Sequence, residues 1–243
     1  MLNIPIDYDI FSAIVLTSFA QSIFGTGVLM FGTPILMILG YDFQNILLIL
    51  LPTSILINIF QLNQNLKEIN LKFYKRLLLF SILPIVIMLY FCSSVNANLN
   101  LSIGCFLILT SLKDKNNLIN KYSKKFIEYE SLYLVIMGTI HGLTNLGGTL
   151  LSGIVFSKKL SKKSKRSTIA ICYLTFAVFQ ISTLTLMLGN FNYINTTNFV
   201  YWIIGLLISF LVEKFIYIQI DDKSYIRYSN FFIFILGLTL ILK

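Results

Sequence analysis

The chain has 243 residues, 56% of them hydrophobic and 12% charged, with a formal net charge of +9 and a mean hydropathy of +0.81. Soluble domains carry about 25% charged residues, so this chain has too little charge to clothe a water-facing surface, and disorder is excluded on the same ground. The positive charge does not point to nucleic acid, because the basic residues sit in loops between apolar runs.

A helix needs about 20 residues to cross a bilayer. Eight apolar segments follow one another, at 10–40, 44–62, 73–91, 99–112, 132–156, 168–188, 196–218 and 225–242. They predict an all-α integral membrane protein. The widest polar gap divides the chain into a first membrane repeat (1–112), a cytoplasmic linker (113–130) and a second membrane repeat (131–243), with four segments in each repeat. Each half opens on a glycine-interrupted stretch, with Gly25, Gly27 and Gly32 in the first and Gly142, Gly147 and Gly148 in the second. Phe60-Gln61 and Phe179-Gln180 recur in the segment that follows. Asp7 and Asp9, rather than a basic region, precede segment 1, so a cleaved signal peptide is not expected. Cys92, Cys105 and Cys172 are odd in number and widely spaced, which predicts packing residues and neither a disulfide framework nor a metal site.

Cytoplasmic loops are enriched in Lys and Arg. Loop 2–3 carries Lys67, Lys72, Lys75 and Arg76; loop 4–5 carries Lys113, Lys115, Lys121, Lys124 and Lys125. Loop 5–6 carries Lys158, Lys159, Lys162, Lys163, Lys165 and Arg166, and loop 7–8 carries Lys214, Lys223 and Arg227. If segment 5 crossed once, loops 4–5 and 5–6 would lie on opposite sides, against the rule. Segments 1 and 5 are therefore expected to enter and leave on one side, as re-entrant hairpins broken at their glycines. All basic loops then face the cytoplasm, and Asp7, Asp9 and Asp42 face outward. Segment 1, at about 31 residues or about 46 Å of helix, is also too long for one straight crossing. One hairpin and three spans per half would invert the second repeat relative to the first, an architecture common in secondary transporters.

Unwinding at glycine frees backbone N–H groups at the start of a new half-helix, where the dipole favours an anion. The first candidate site holds Gly25, Thr26, Gly27 and Thr33, with Pro34 expected in the first turn of the second half-helix. The second holds His141, Thr144, Asn145, Gly147 and Gly148. His141 is the only histidine; it reads either as a solute or proton ligand or as a neutral, hydrogen-bonded structural group. Asn58, Gln61 and Gln180 are amides inside spans and either line a pathway or bond neighbouring helices. No deep carboxylate pair is expected, which favours an anionic or neutral solute. Aromatics near segment ends, among them Tyr41, Tyr201 and Trp202, read as an interfacial belt.

The stretch from Gly25 to Pro34, followed by Ile35-Leu36, resembles the first-repeat signature of the TauE/SafE sulfite-exporter family. Thr53-Ser54 is similar to that family's Thr-Ser pair, and Gly142–Gly148 to its second-repeat signature. The resemblance implies a permease for small anions, often sulfur oxyanions or organosulfonates, with the glycine stretches as its transport site. The expected function is a secondary transporter for a small anion by alternating access, in the cell membrane, without cofactor or metal, its partners being that anion and the lipid bilayer. Homo-oligomerisation is left open. The rival reading is a non-transporting membrane assembly factor for a partner complex. An enzyme is not expected, since the chain offers one histidine and no deep acid.

Overall fold

Long apolar runs become helices, even through Pro34, Pro52 and Pro84, because a helix satisfies most of its backbone groups within the segment, as lipid requires. The computed structural model describes residues 6–24, 27–63, 65–95, 99–112, 126–191, 194–215 and 222–243, and these contain helices and no strand. The helices are α1 (Tyr8–Phe24), α2 (Val28–Leu39), α3 (Phe43–Asn63), α4 (Leu71–Val95), α5 (Asn100–Leu112), α6 (Glu130–Thr144), α7 (Gly148–Ser157), α8 (Lys162–Ser182, continued by a π turn over Thr183–Met187), α9 (Thr196–Phe215) and α10 (Asp222–Leu242). Four of them are long and apolar enough to cross a membrane: α3, α4, α8 with its π turn, and α9.

α3 and α8 pack on each other at the centre and are the most buried of the four. α4 lies against α6 and α8, α9 lies against α1 and α3, and α5 pairs with α10. Leu79, Leu83, Ile87 and Phe91 form an exposed apolar stripe on α4, as Ile203, Leu207 and Phe210 do on α9. Such stripes suit lipid and would be a liability in water.

Contacts at the helix ends fall into two groups. In one, the Tyr201 hydroxyl accepts from the Asp7 N–H at 2.7 Å, the Tyr41 hydroxyl donates to the Asp7 carboxylate, and Gln44 donates to the Ser93 carbonyl at 3.0 Å. In the other, Arg166 donates to the Ser22 carbonyl at 3.0 Å, the Asn70 N–H donates to Thr168 at 2.9 Å, and Glu130 pairs with both Arg76 at 3.3 Å and Lys158 at 2.7 Å. α4 has one end in each group, and so does α9, whose Glu213 pairs with Arg166 at 3.0 Å, so the groups mark opposite ends of the bundle. Asp7 precedes α1 and Tyr41 follows α2, so the outer ends of that segment meet at the first end. Glu130 opens α6 and Lys158 follows α7, so the outer ends of the other broken segment meet at the second.

Three expectations need correction. Pro34 is the seventh residue of α2, not a first-turn residue. Gly32 and Gly142 lie inside helices: a Cβ on Gly32 would come 2.9 Å from the Leu50 side chain, and one on Gly142 would come 2.5 Å from the Ile85 carbonyl oxygen. Both serve close helix packing and not unwinding. α8 begins at Lys162, well before the apolar run, because Ser161 caps it by accepting from the Ser164 N–H at 3.1 Å.

Candidate functional site

α1 ends at Phe24 and α2 begins at Val28; α6 ends at Thr144 and α7 begins at Gly148. Gly25 and Thr26, expected at the first break, lie outside the described residues. Gly27 has extended backbone at φ 176°, so its conformation alone would admit other residues. Its neighbours would not: a Cβ there would come 2.4 Å from the Gln21 backbone N and 2.8 Å from the Thr17 carbonyl oxygen. Gln21 reaches across the break, and its Oε1 accepts from the Val28 N–H at 3.0 Å. A polar side chain of α1 thus satisfies the first N–H of α2, which the helix itself leaves unpaired. Gln61 Nε2 on α3 donates to the Gln21 carbonyl at 3.4 Å, and Asn58 donates to the Ser54 carbonyl at 2.8 Å.

At the second break, Asn145 ends α6 in the left-handed region, with φ 61°, and its N–H bonds the His141 carbonyl at 2.8 Å. Asparagine tolerates that conformation better than most residues. Thr144 Oγ1 accepts from the Leu146 N–H at 3.2 Å. The Gly147 N–H donates to His141 Nδ1 at 3.2 Å. An Nδ1 that accepts places the proton of the neutral ring on Nε2. That Nε2 and the Oε1 of neighbouring Gln180 are both buried, and neither has another hydrogen-bond partner among the described residues. The His141 ring is fully buried, packed 4.8 Å from the Phe176 ring and 6.4 Å from the Tyr173 ring. Gly147 allows this approach, since a Cβ would fall 2.4 Å from the His141 Cβ. A Cβ on Gly148 would fall 1.3 Å from the Tyr173 hydroxyl, which therefore sits over the first residue of α7.

A buried chain of hydrogen bonds runs through this break. Gln180 Nε2 donates to Asn145 Oδ1 at 3.2 Å, and Asn145 Nδ2 donates to Thr33 Oγ1 at 2.9 Å. It joins α8 to the middle of α2. The expected site residues therefore form two groups and not one pocket. Thr33, His141, Thr144, Asn145, Gly147, Gly148 and Gln180 gather at the second break, while Gly27, Asn58 and Gln61 gather at the first. The groups are staggered along the bundle: Gln61 is two residues from the end of α3, whereas Gln180 lies twelve residues, about 18 Å of helix, beyond the Thr168 contact that marks the same end of α8.

Reading the sequence missed three features. Gln21 passed as part of an apolar helix, although an amide just ahead of two glycines is a signal of capping. Tyr173 was not singled out, and nothing local distinguishes it. Arg166 passed as a loop charge; it pairs with Glu213 at 3.0 Å, with side chains only 13% and 10% exposed, while it also holds the Ser22 carbonyl near the tip of α1. Glu213 is thus enclosed near the end of α9, where no enclosed acid was expected. Tyr41 and Tyr201 do more than float at an interface, since both bond Asp7.

Charges at the ends are tuned by these ties. The Tyr41 hydroxyl holds the Asp7 carboxyl below its ordinary range, outweighing the upward push of burial. Burial pushes Glu130 up as well, but the hydrogen bonds and charges of Lys158 and Arg76 together leave it below its ordinary range.

The chain matches the family described as Sulfite exporter TauE/SafE over residues 10–240, nearly its whole length. No curated protein and no solved structure matches it.

Proposed function

The chain belongs to the TauE/SafE sulfite exporter family, and we propose that it is a secondary transporter for a small anion, a sulfur oxyanion or organosulfonate, working by alternating access. It is a helical, multi-pass membrane protein of a transporter family; the anion, the mechanism and the orientation are the proposal. In this reading residues 1–112 and 131–243 are inverted repeats joined by 113–130, the protein lies in the cell membrane, and the basic loops face the cytoplasm.

The observation that carries the reading is the pairing of outer ends. Asp7 with Tyr41 closes one broken segment at one end of the bundle, and Glu130 with Lys158 closes the other at the opposite end. That is the behaviour of two re-entrant hairpins of opposite orientation. The helix pairings agree with it: α4 on α6 corresponds to α9 on α1, α3 on α9 to α8 on α4, and α3–α8 and α5–α10 each pair with their own counterpart. Two broken helices inside a bilayer have a reason to exist when they line a solute path.

The anion binds at the second break. The N–H groups that open α7 and the Nε2–H of neutral His141 are the donors, and Gln180, Asn145 and Thr33 hold the geometry. Hydrogen-bond donors without a full charge suit a solute that must leave again. Flux into proteoliposomes tests this, with sulfite, sulfate, thiosulfate, taurine-like sulfonates and carboxylates offered in turn. Uptake of one anion class, lost in His141→Ala and Asn145→Asp proteins that still melt cooperatively, is the expected result. Flux of none, or wild-type flux in both variants, would refute it.

A further inference from the structure

Lys72, Lys75 and Arg76 lie in the first two turns of α4 and are exposed. Spacings of three and four residues put them on one helix face, and that face continues as Leu79, Leu83 and Ile87, exposed in turn. A cationic head therefore stands over an unpartnered apolar track on a single helix. Arg76 and Lys158 share the Glu130 carboxylate, at 3.3 Å and 2.7 Å, which brings Lys158 from the end of α7 to the same head. The Lys158 ammonium is fixed there over the Phe73 ring of α4, 4.9 Å from its centre.

These cations thus gather around a single acid. Among the described residues no acid pairs with Lys72 or Lys75, and the first turn of α4 holds no acidic residue. Both lysines stand near the positive end of the helix dipole, which disfavours cations. Glu68 and Glu128 are exposed at the same end of the bundle, but so are Lys67 and Lys159. The uncompensated charge favours an anion. The track says which kind. From Arg76 to Ile87 is 11 residues, about 16 Å of helix, and one leaflet of a bilayer holds about 15 Å of hydrocarbon. A free phosphate would use the cations and leave the track bare. A second copy of this chain, packed on the same face about a two-fold axis, would set cation against cation. A molecule with a negative head and an apolar tail uses both parts. α9 also carries an exposed apolar stripe, yet only one exposed cation, Lys214, stands at its inner end among the described residues.

We propose that α4 and Lys158 form a binding site for an anionic phospholipid, with the headgroup phosphate on Lys72, Lys75, Arg76 and Lys158 and an acyl chain along Leu79, Leu83 and Ile87. Asp7, Asp9 and Asp42 occupy the opposite end of the bundle, so the site selects one leaflet. It stands whether or not the chain carries an anion across.

Native mass spectrometry of the purified full chain in neutral detergent, with phosphatidylglycerol and phosphatidylcholine offered at equal concentration, tests the site. Preferential retention of phosphatidylglycerol is expected, with a melting temperature raised by that lipid alone; both effects should weaken at about 1 M salt. Lys72→Gln and Lys75→Gln should each lower the affinity by about fivefold. Lys214→Gln removes the same charge from α9, which packs against α1 and α3, and should leave the affinity unchanged. All three lysines are exposed, so the variants should melt as the wild type does without lipid. Equal retention of the two lipids overturns the site, as does wild-type affinity in both α4 variants or an equal loss in Lys214→Gln. Displacement of the lipid by inorganic phosphate would make it an ion site, and a dimer in place of the lipid adduct would give the face to a second copy; either result refutes the proposal.

Discussion

The two breaks solve one problem with different chemistry. In each, a half-helix must start inside the bundle, and its first N–H would go unpaired. At the first break the neutral amide of Gln21 accepts it from seven residues back; at the second the ring of His141 accepts the N–H of Gly147, the residue just before α7, from six residues back. In each, a glutamine of the following long helix braces the spot, Gln61 on the Gln21 carbonyl and Gln180 on Asn145. The difference lies in what remains unpaired. The first break leaves amide and hydroxyl oxygens over, together with the Gln21 NH2, and the second leaves the His141 Nε2–H and the Gln180 Oε1. Similar backbone solutions therefore leave different donors and acceptors, amides and a hydroxyl in one place and an imidazole facing an amide in the other.

The backbone part of that parallel can be broken most severely. Gly27→Ala drives a methyl into the main chain of α1, which cannot step aside. A cost of about 3 kcal/mol or more is expected, seen as loss of monodisperse protein in detergent. Gly32→Ala meets only the Leu50 side chain and gains about 1 kcal/mol of helix propensity, so it should be far milder. Equal damage from the two would mean that the break places no special demand on its glycine.

Asn145 comes next, because it supplies both a left-handed residue and two hydrogen bonds. Asn145→Ala is expected to cost about 2–4 kcal/mol from strain and lost bonds together. Asn145→Gly should recover about 1 kcal/mol of the strain and none of the flux. Thermal melts separate the first effect, and proteoliposome uptake the second.

His141→Gln then tests whether the second break can be given the chemistry of the first. Glutamine can accept the Gly147 N–H as Gln21 accepts that of Val28, so the melt should shift by no more than about 1 kcal/mol. Flux should still fall at least about tenfold, the effect of losing one hydrogen-bond donor to a charged group. Retained flux would reduce His141 to a cap.

How much of this was legible follows the range of each interaction. Apolar periodicity is local, and it made the helices and the membrane-spanning segments legible. The glycine runs located both breaks, yet they could not separate Gly27 and Gly147, which meet the preceding half-helix, from Gly32 and Gly142, which merely pack inside helices. That distinction depends on neighbours far along the chain. Asn145 and His141 stood out as polar residues in an apolar run, but the Thr33 partner is 112 residues away from Asn145. Arg166 was hidden by its own neighbours, a basic stretch in which the other members stay in water while α8 carries this one against Glu213.

The smallest expected effect concerns the ties that close the two segments. Asp7 and Glu130 both have folded-state pKa values below their ordinary range. A carboxyl depressed by folding adds stability at neutral pH, above its unfolded value, and that contribution is lost as the pH falls through the folded value. The melting temperature should therefore hold from neutrality until the pH drops below about 4, near unperturbed carboxylate values, and decline beyond that. Glu130 loses two cationic partners on protonation, whereas Asp7 keeps a Tyr41 hydroxyl that can still donate to a neutral acid. Glu130→Gln should flatten more of the acid limb than Asp7→Asn does. Both groups are partly exposed, so their share is modest and salt-screened. Raising the salt to about 1 M should shrink the Glu130 share most, since its tie is ionic and that of Asp7 is mainly a hydrogen bond. A larger acid-limb effect from Asp7→Asn would reverse the order and make the Tyr41 tie the stronger of the two clasps.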